Sequence, residues 1–188
     1  MKTHLLPALR LTLVCIIFFM GVYTLLMFGI AKAAAPNHGD GELVQVNGKT
    51  VGYAKIGQSF TNDNYFNSRP SAVNYNAAGS GGSNKGPSNP DYLATVQQRI
   101  DTFLVHNPAV KKEEIPSELV TASGSGQDPD ISPKGALIQV ARIAKVRNIS
   151  EEKVTALVNS NIQKPLLGLF GTSKVNVLKL NIELDNLK

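Results

Sequence analysis

The chain of 188 residues has no tryptophan, and aromatic residues make up only 6% of it, so any core rests on Val, Ile, Leu and Ala. Its one cysteine, Cys15, lies in an apolar N-terminal stretch. The remainder can therefore form neither an internal disulfide nor a cysteine metal site. A basic run is also missing: beyond residue 31 there are 17 Lys or Arg against 14 Asp or Glu, interleaved, which argues against a nucleic-acid partner. The three histidines, His4, His38 and His106, have no metal-ligand spacing.

What the sequence does have begins at Leu11. From there to Ile30 run 20 residues without a charge, about 30 Å as a helix and enough to cross a bilayer core. Residues 1–10 precede this segment as an N-terminal tail, 11–31 form the expected transmembrane helix, and 32–188 form one further domain. Lys2 and Arg10 lie before the span and Lys32 alone lies close after it, which predicts a cytoplasmic N-terminus and an extracytoplasmic domain in a single-pass protein of the cell membrane. A cleaved signal peptide is the competing reading, because Ala31-Lys32-Ala33 and Ala33-Ala34-Ala35 both have the small-x-small pattern. Such cleavage would release a secreted, periplasmic binding module. Length favours retention, since a signal core usually has about 7–15 residues. Gly21 and Gly29 are eight apart on one side of the helix, where small residues allow a neighbouring helix close approach or are simply ordinary membrane glycines.

Beyond the span the pattern predicts a mixed α/β domain with a β-hairpin, about three helices and a C-terminal strand. Residues 43–46 and 50–54 flank Asn47-Gly48, a pair suited to a type I′ turn. Residues 57–88 are too rich in Gly, Ser, Asn and Pro for a helix or central strand. Asn89-Pro90 opens a helix with Leu93, Val96, Ile100, Phe103 and Leu104 on one face, ended by Asn107-Pro108. Ser132-Pro133 opens a second that runs to about Asn148, and Ser150 caps a third carrying Val154, Leu157 and Val158. Alternation from Val175 through Leu178, Leu180, Ile182 and Leu184 predicts one strand with a bulge near Leu178.

No catalytic set emerges from these residues. Lys85 is followed by Gly86-Pro87 rather than by the Ser or Thr of a phosphate-binding loop. Ser80-Gly81-Gly82-Ser83 matches part of an ATP-binding-cassette signature, but the predicted topology puts it on the wrong side of the membrane. Ser150 and Lys153 fit both a helix cap and a Ser-x-x-Lys pattern, and a serine hydrolase using Lys134 or Lys153 stays open beside a binding or assembly module. Asp128 and Asp130, flanking Pro129, suit a turn or interface, or a cation.

Three stretches carry a family resemblance: Ser68-Arg69-Pro70-Ser71 with Ser80-Gly81-Gly82-Ser83-Asn84; Val120-Thr121-Ala122-Ser123-Gly124-Ser125-Gly126 through Ile131-Ser132-Pro133; and Val175-Asn176-Val177-Leu178. In order and spacing the chain resembles the C subunits of Kdp-type potassium-transporting P-type ATPases over essentially its whole length. Gln127 departs from that pattern, where an apolar residue is expected, and Asp130 stands where members vary between Asp and His.

The resemblance implies a non-enzymatic accessory subunit with no cofactor of its own. ATP and potassium would act at the level of the complex, whose other members are a pore subunit, a phosphorylated P-type ATPase subunit and a small membrane subunit. It further implies a catalytic chaperone that raises the ATP affinity of the ATPase subunit, with an exported domain over the outer mouth of the pore. On that reading Arg69, Pro70, Ser71, Ser80, Gly81, Gly82, Ser83 and Asn84, with Ser123, Gly124, Ser125, Gly126, Asp128, Pro129 and Asp130, are the docking candidates.

Overall fold

The computed structural model describes residues 2–187. Met1 and Lys188, the outer ends of the expected tail and domain, lie outside the described residues, as does the side chain of Lys2. The backbone divides into two compact units, one ending at Leu43 and the other beginning at Val44.

The first unit is helical from α1 (Lys2–Cys15) through a π-helical stretch (Ile16–Tyr23) into α2 (Thr24–Ala34). Thr24 Oγ1 donates to Phe19 O, five residues back, which fits the wider π turn. Thr3–Ala34 is long and apolar enough to cross a membrane, by length and composition. It encloses the expected 11–31 segment, and Leu11 and Ile30 near its ends are exposed. A Cβ on Gly21 or Gly29 would meet no atom within 4 Å, so each leaves an open notch on the helix surface.

The second unit opens with the expected hairpin, β1 (Leu43–Val46) and β2 (Lys49–Tyr53). Asn47 and Gly48 both have positive φ, 51° and 75°, as a type I′ turn demands. Residues 57–88 contain no helix or strand. α3 (Pro90–His106) starts where Asn89 accepts the Tyr92 N–H, and Val96, Ile100, Phe103 and Leu104 are its half-buried stripe, although Leu93 is exposed.

The second predicted helix is two. α4 (Pro133–Leu137), capped by Ser132, stops before Gln139, and α5 (Val140–Arg147) follows. Gln139 is fully buried, and its amide is committed to the carbonyls of Gly135 and Asn67, so tertiary bonding interrupts a run whose apolar spacing alone is continuous. Asn148, at φ 56°, ends α5 in the left-handed conformation, and Ser150 then caps α6 (Glu151–Ser160) through the Lys153 N–H.

The predicted C-terminal strand shrinks to β4 (Val175–Asn176), paired antiparallel with β3 (Asp130–Ile131). The rest, α7 (Val177–Asn186), is a helix. Leu178, Leu180, Ile182 and Leu184 alternate as a strand would, but the buried set is Val177, Leu178, Leu180, Asn181 and Leu184, a helical stripe. Asn176 caps it by accepting the Lys179 N–H. A strand would have turned Asn181 away from Leu180; the helix buries it, where its amide bonds both the N–H and the C=O of Phe66.

The core gathers Phe66, Ile131, Val140, Ile143, Val154, Val158, Val175, Leu180 and Leu184. α6 packs on α4, α5 and α7. Phe66, from the irregular segment, is fully buried, worth roughly 1.5–3 kcal/mol for its side chain.

Candidate functional site

The stretches 68–71 and 80–84, from one irregular segment, and the sequence-distant stretch 123–130 knit into one polar face. Ser123 N–H donates to Pro70 O at 3.1 Å, and Gly81 N–H donates to Ser125 O at 2.9 Å. Ser80 Oγ donates to the same Ser125 carbonyl at 3.1 Å. Arg69 Nη1 bridges to Asp128 Oδ2 at 2.9 Å, with both side chains partly buried. Each loop thus satisfies backbone groups of another, which an isolated turn could do only with water.

Local chemistry sets the shape of each loop. Ser71 Oγ accepts from the N–H groups of Val73 and Tyr75, a hydroxyl turn that follows Pro70. Gly126 sits at φ 69°, where a Cβ would lie 2.5 Å from Val73 Cγ2 and 2.8 Å from Gly81 O. Only glycine fits that crossing. Gly82 lies against Gly124, whose carbonyl would be 3.1 Å from a Cβ at position 82. Ser83 is half-buried, and Asn84 is exposed at positive φ.

At the far end, Asp128 Oδ1 accepts the Asp130 N–H, Asp130 Oδ2 pairs with Lys174 Nζ at 2.5 Å, and Pro129 O accepts the Val177 N–H. The two carboxylates are therefore each committed to a basic partner. Among the described residues no group of three or more His, Cys, Asp or Glu could hold a metal ion. Arg69 Nε is buried and has no acceptor among the described residues. Shallow clefts of about 260 and 220 Å³ flank Arg69, one lined by Ser68, Ser71 and Tyr75, the other by Glu118, Asp130 and Lys174.

Tyr75 donates its hydroxyl to Arg69 O in a short contact. Its phenol is pushed above the ordinary range chiefly by burial and further by Asp128, against the Ser68 hydrogen bond and the Arg69 charge. A phenol that holds its proton more tightly when folded stabilises the fold up to its unfolded pKa, near 10, and that contribution is lost as pH rises through the folded value. Tyr75→Phe is accordingly expected to cost about 1 kcal/mol at neutral pH and to flatten the loss of stability above about pH 10, read from unfolding curves across that range.

Sequence reasoning passed over the bonds that hold residues 63–67 in place. Arg142, on α5, is buried. Its Nε donates to Asn107 Oδ1, its Nη1 to the carbonyls of Asp63 and Tyr65, and its Nη2 to Asn67 Oδ1 and Gln139 Oε1. Burial lowers its pKa, and the Asp63 carboxylate opposes that shift. Arg147 stacks on Tyr65 and pairs with Asp185. Arg147 continues the apolar stripe of Val140, Ile143 and Ala144, a signal readable in the sequence, whereas the burial of Arg142 is not.

An apolar helix long enough to span a bilayer, in one chain with an α/β unit whose loops interlock in one polar face, fits the class of single-pass membrane proteins. The chain belongs to the KdpC family: the family model described as the c chain of K+-transporting ATPase matches residues 5–186. The Potassium-transporting ATPase KdpC subunit of Flavobacterium psychrophilum is 63% identical over 180 residues, 96% of each chain. That of Bacteroides fragilis is 52% identical over 190 residues, covering 100% of this chain and 99% of the relative. That of Caldanaerobacter subterraneus is 48% identical over 176 residues, 94% and 91%.

Proposed function

We propose that this chain is a non-catalytic accessory subunit of an ATP-driven potassium importer, docked through the 68–71, 80–84 and 123–130 face onto the outer mouth of the pore-forming subunit. The observation that carries this reading is that residues 68–84 and the sequence-distant 123–130 loop share one interlocked polar surface, with Arg69 bridging the two through Asp128. A buried Arg69 Nε without an acceptor costs about 1–3 kcal/mol, so a carbonyl or carboxylate from a partner would be favourable there. Ordered loops also bring little entropy cost to an interface.

The charges flanking the span support a cytoplasmic N-terminus, with Lys2 and Arg10 before it and Lys32 alone close after it. A domain on the far side cannot touch cytoplasmic ATP. Its effect on the ATP affinity of the phosphorylated subunit is then indirect: it binds one transporter conformation better than another and shifts the equilibrium by that difference. Potassium and ATP bind elsewhere in the complex, and the bilayer and a small membrane subunit surround the single span.

Arg69→Ala is expected to reduce recovery of the pore and ATPase subunits with the tagged full chain at least about fivefold, the equivalent of roughly 1 kcal/mol of lost interface energy. Thermal unfolding of the purified variant separates a docking defect from misfolding. Full recovery of the complex with normal potassium uptake would remove Arg69 from the interface.

A further inference from the structure

Residues 163–174 form a finger between α6 and β4, tied to the candidate face only at its base through Lys174 and Asp130. Its neck is an antiparallel bridge, with Gln163 N–H donating to Lys174 O at 2.8 Å and Lys174 N–H to Gln163 O at 3.1 Å. Nearer the tip the N–H of Phe170 donates to Leu166 O and that of Leu166 to Phe170 O, while Gly168 N–H donates to Pro165 O. Leu167 and Gly168 turn the chain at positive φ.

This backbone is closed on itself, yet its large side chains point outward. Leu166 is 69% exposed, Leu167 81%, Leu169 81% and Phe170 65%. Scattered exposed leucines are ordinary; four large apolar side chains on one short ordered turn are a contact waiting for an apolar phase. Because the turn pairs the Leu166, Gly168, Leu169 and Phe170 amides internally, those groups can leave water without being stranded, which an open loop would not allow.

The charges around it select the phase. Between residues 153 and 182 there is no Asp or Glu, while Lys153, Lys164, Lys174 and Lys179 are present. Lys164 and Lys174 stand exposed at the two sides of the neck. The acids that approach this region, Asp130 and Glu183, are held by Lys174 and by the Asn161 amide. An apolar tip below a lysine collar is the chemistry of a bilayer surface with anionic headgroups, where long cationic side chains lie at headgroup level.

We propose that the 163–174 finger is a membrane-interface contact, in which Leu166, Leu167, Leu169 and Phe170 enter the headgroup–acyl boundary and Lys164 lies among anionic headgroups. The finger needs little affinity of its own, because a helix fit to span the bilayer is in the same chain and turns insertion into an intramolecular event. The contact goes beyond the docking role and requires no partner subunit.

The absence of tryptophan makes the test direct. Phe170→Trp or Leu167→Trp places a single reporter at the tip, and Val105→Trp, on an exposed position of α3, reports the rest of the domain. Each full-length variant is reconstituted alone into phosphatidylcholine–phosphatidylglycerol vesicles with or without brominated acyl chains. Insertion predicts blue-shifted tip emission, reduced roughly twofold or more by the brominated lipid, with the Val105→Trp signal much less affected. Lys164→Gln or omission of phosphatidylglycerol should weaken the quenching; unchanged quenching would overturn the part given to Lys164. Tip emission that stays water-like and unquenched overturns the proposal. If it shifts only when the pore and ATPase subunits are added, the finger belongs to a protein partner instead.

Discussion

Replacing Arg142 with Met should lower the unfolding free energy by about 3–5 kcal/mol, in the range found when one member of a buried charged network is removed. Methionine fills much of the arginine's length but donates no hydrogen bond. Five acceptors, Asn107 Oδ1, the Asp63 and Tyr65 carbonyls, Asn67 Oδ1 and Gln139 Oε1, would lose a donor together. Each that stays buried and unpaired costs about 1–3 kcal/mol, although water will reach some of them. Arg142→Lys keeps the charge and loses the planar fork, so it should fall between the two. Urea unfolding of the full chain in detergent measures this, and a loss below about 1 kcal/mol would mean that water replaces the guanidinium without strain.

Gly126→Ala should produce the next largest loss, about 2–5 kcal/mol. The left-handed backbone at φ 69° costs an L-residue about 1–2 kcal/mol, and overpacking adds about 1–3. The added methyl would press on Val73 Cγ2 and Gly81 O, one a branched side chain and the other backbone, and neither yields cheaply. The strain falls where the loops cross, so the Gly81–Ser125 bond should be lost with it. Recovery of partner subunits should drop further than with Arg69→Ala. Gly124→Ala is the matched control, because a Cβ there meets nothing within 4 Å. Similar unfolding curves for the two variants would contradict the packing argument.

Local chemistry made half of the fold legible. The Asn47-Gly48 turn and the Asn89 and Ser150 caps each act within four residues, so their signals survive in a linear string. The losses occur where a distant residue decides. Leu178 to Leu184 satisfies a two-residue and a helical period alike, and the choice falls to Asn181, whose partner is Phe66. The break at Gln139 depends on Asn67 in the same way. As for the candidate face, its loops were visible as ordered turns, but which carbonyl of one accepts which amide of another is a three-dimensional fact. The finger at 163–174 went unread because Leu-Leu-Gly-Leu-Phe resembles core until its exposure is known.

The bond between Asn181 and Phe66 spans 115 positions, that between Asn176 and Ala54 spans 122, and Tyr65 reaches Asp185 across 120. Contacts of that separation form late, because the intervening chain must close on itself before it gains anything. The 57–75 segment therefore gains its last anchors only with α7, whose Asn181 and Asp185 take Phe66 and Tyr65, while Arg142 and Arg147 of α5 hold residues 63–67 from the other side. A polypeptide lacking everything from Asn176 on would lose these clasps together, so limited proteolysis should cut it within 57–75 much faster than the full chain.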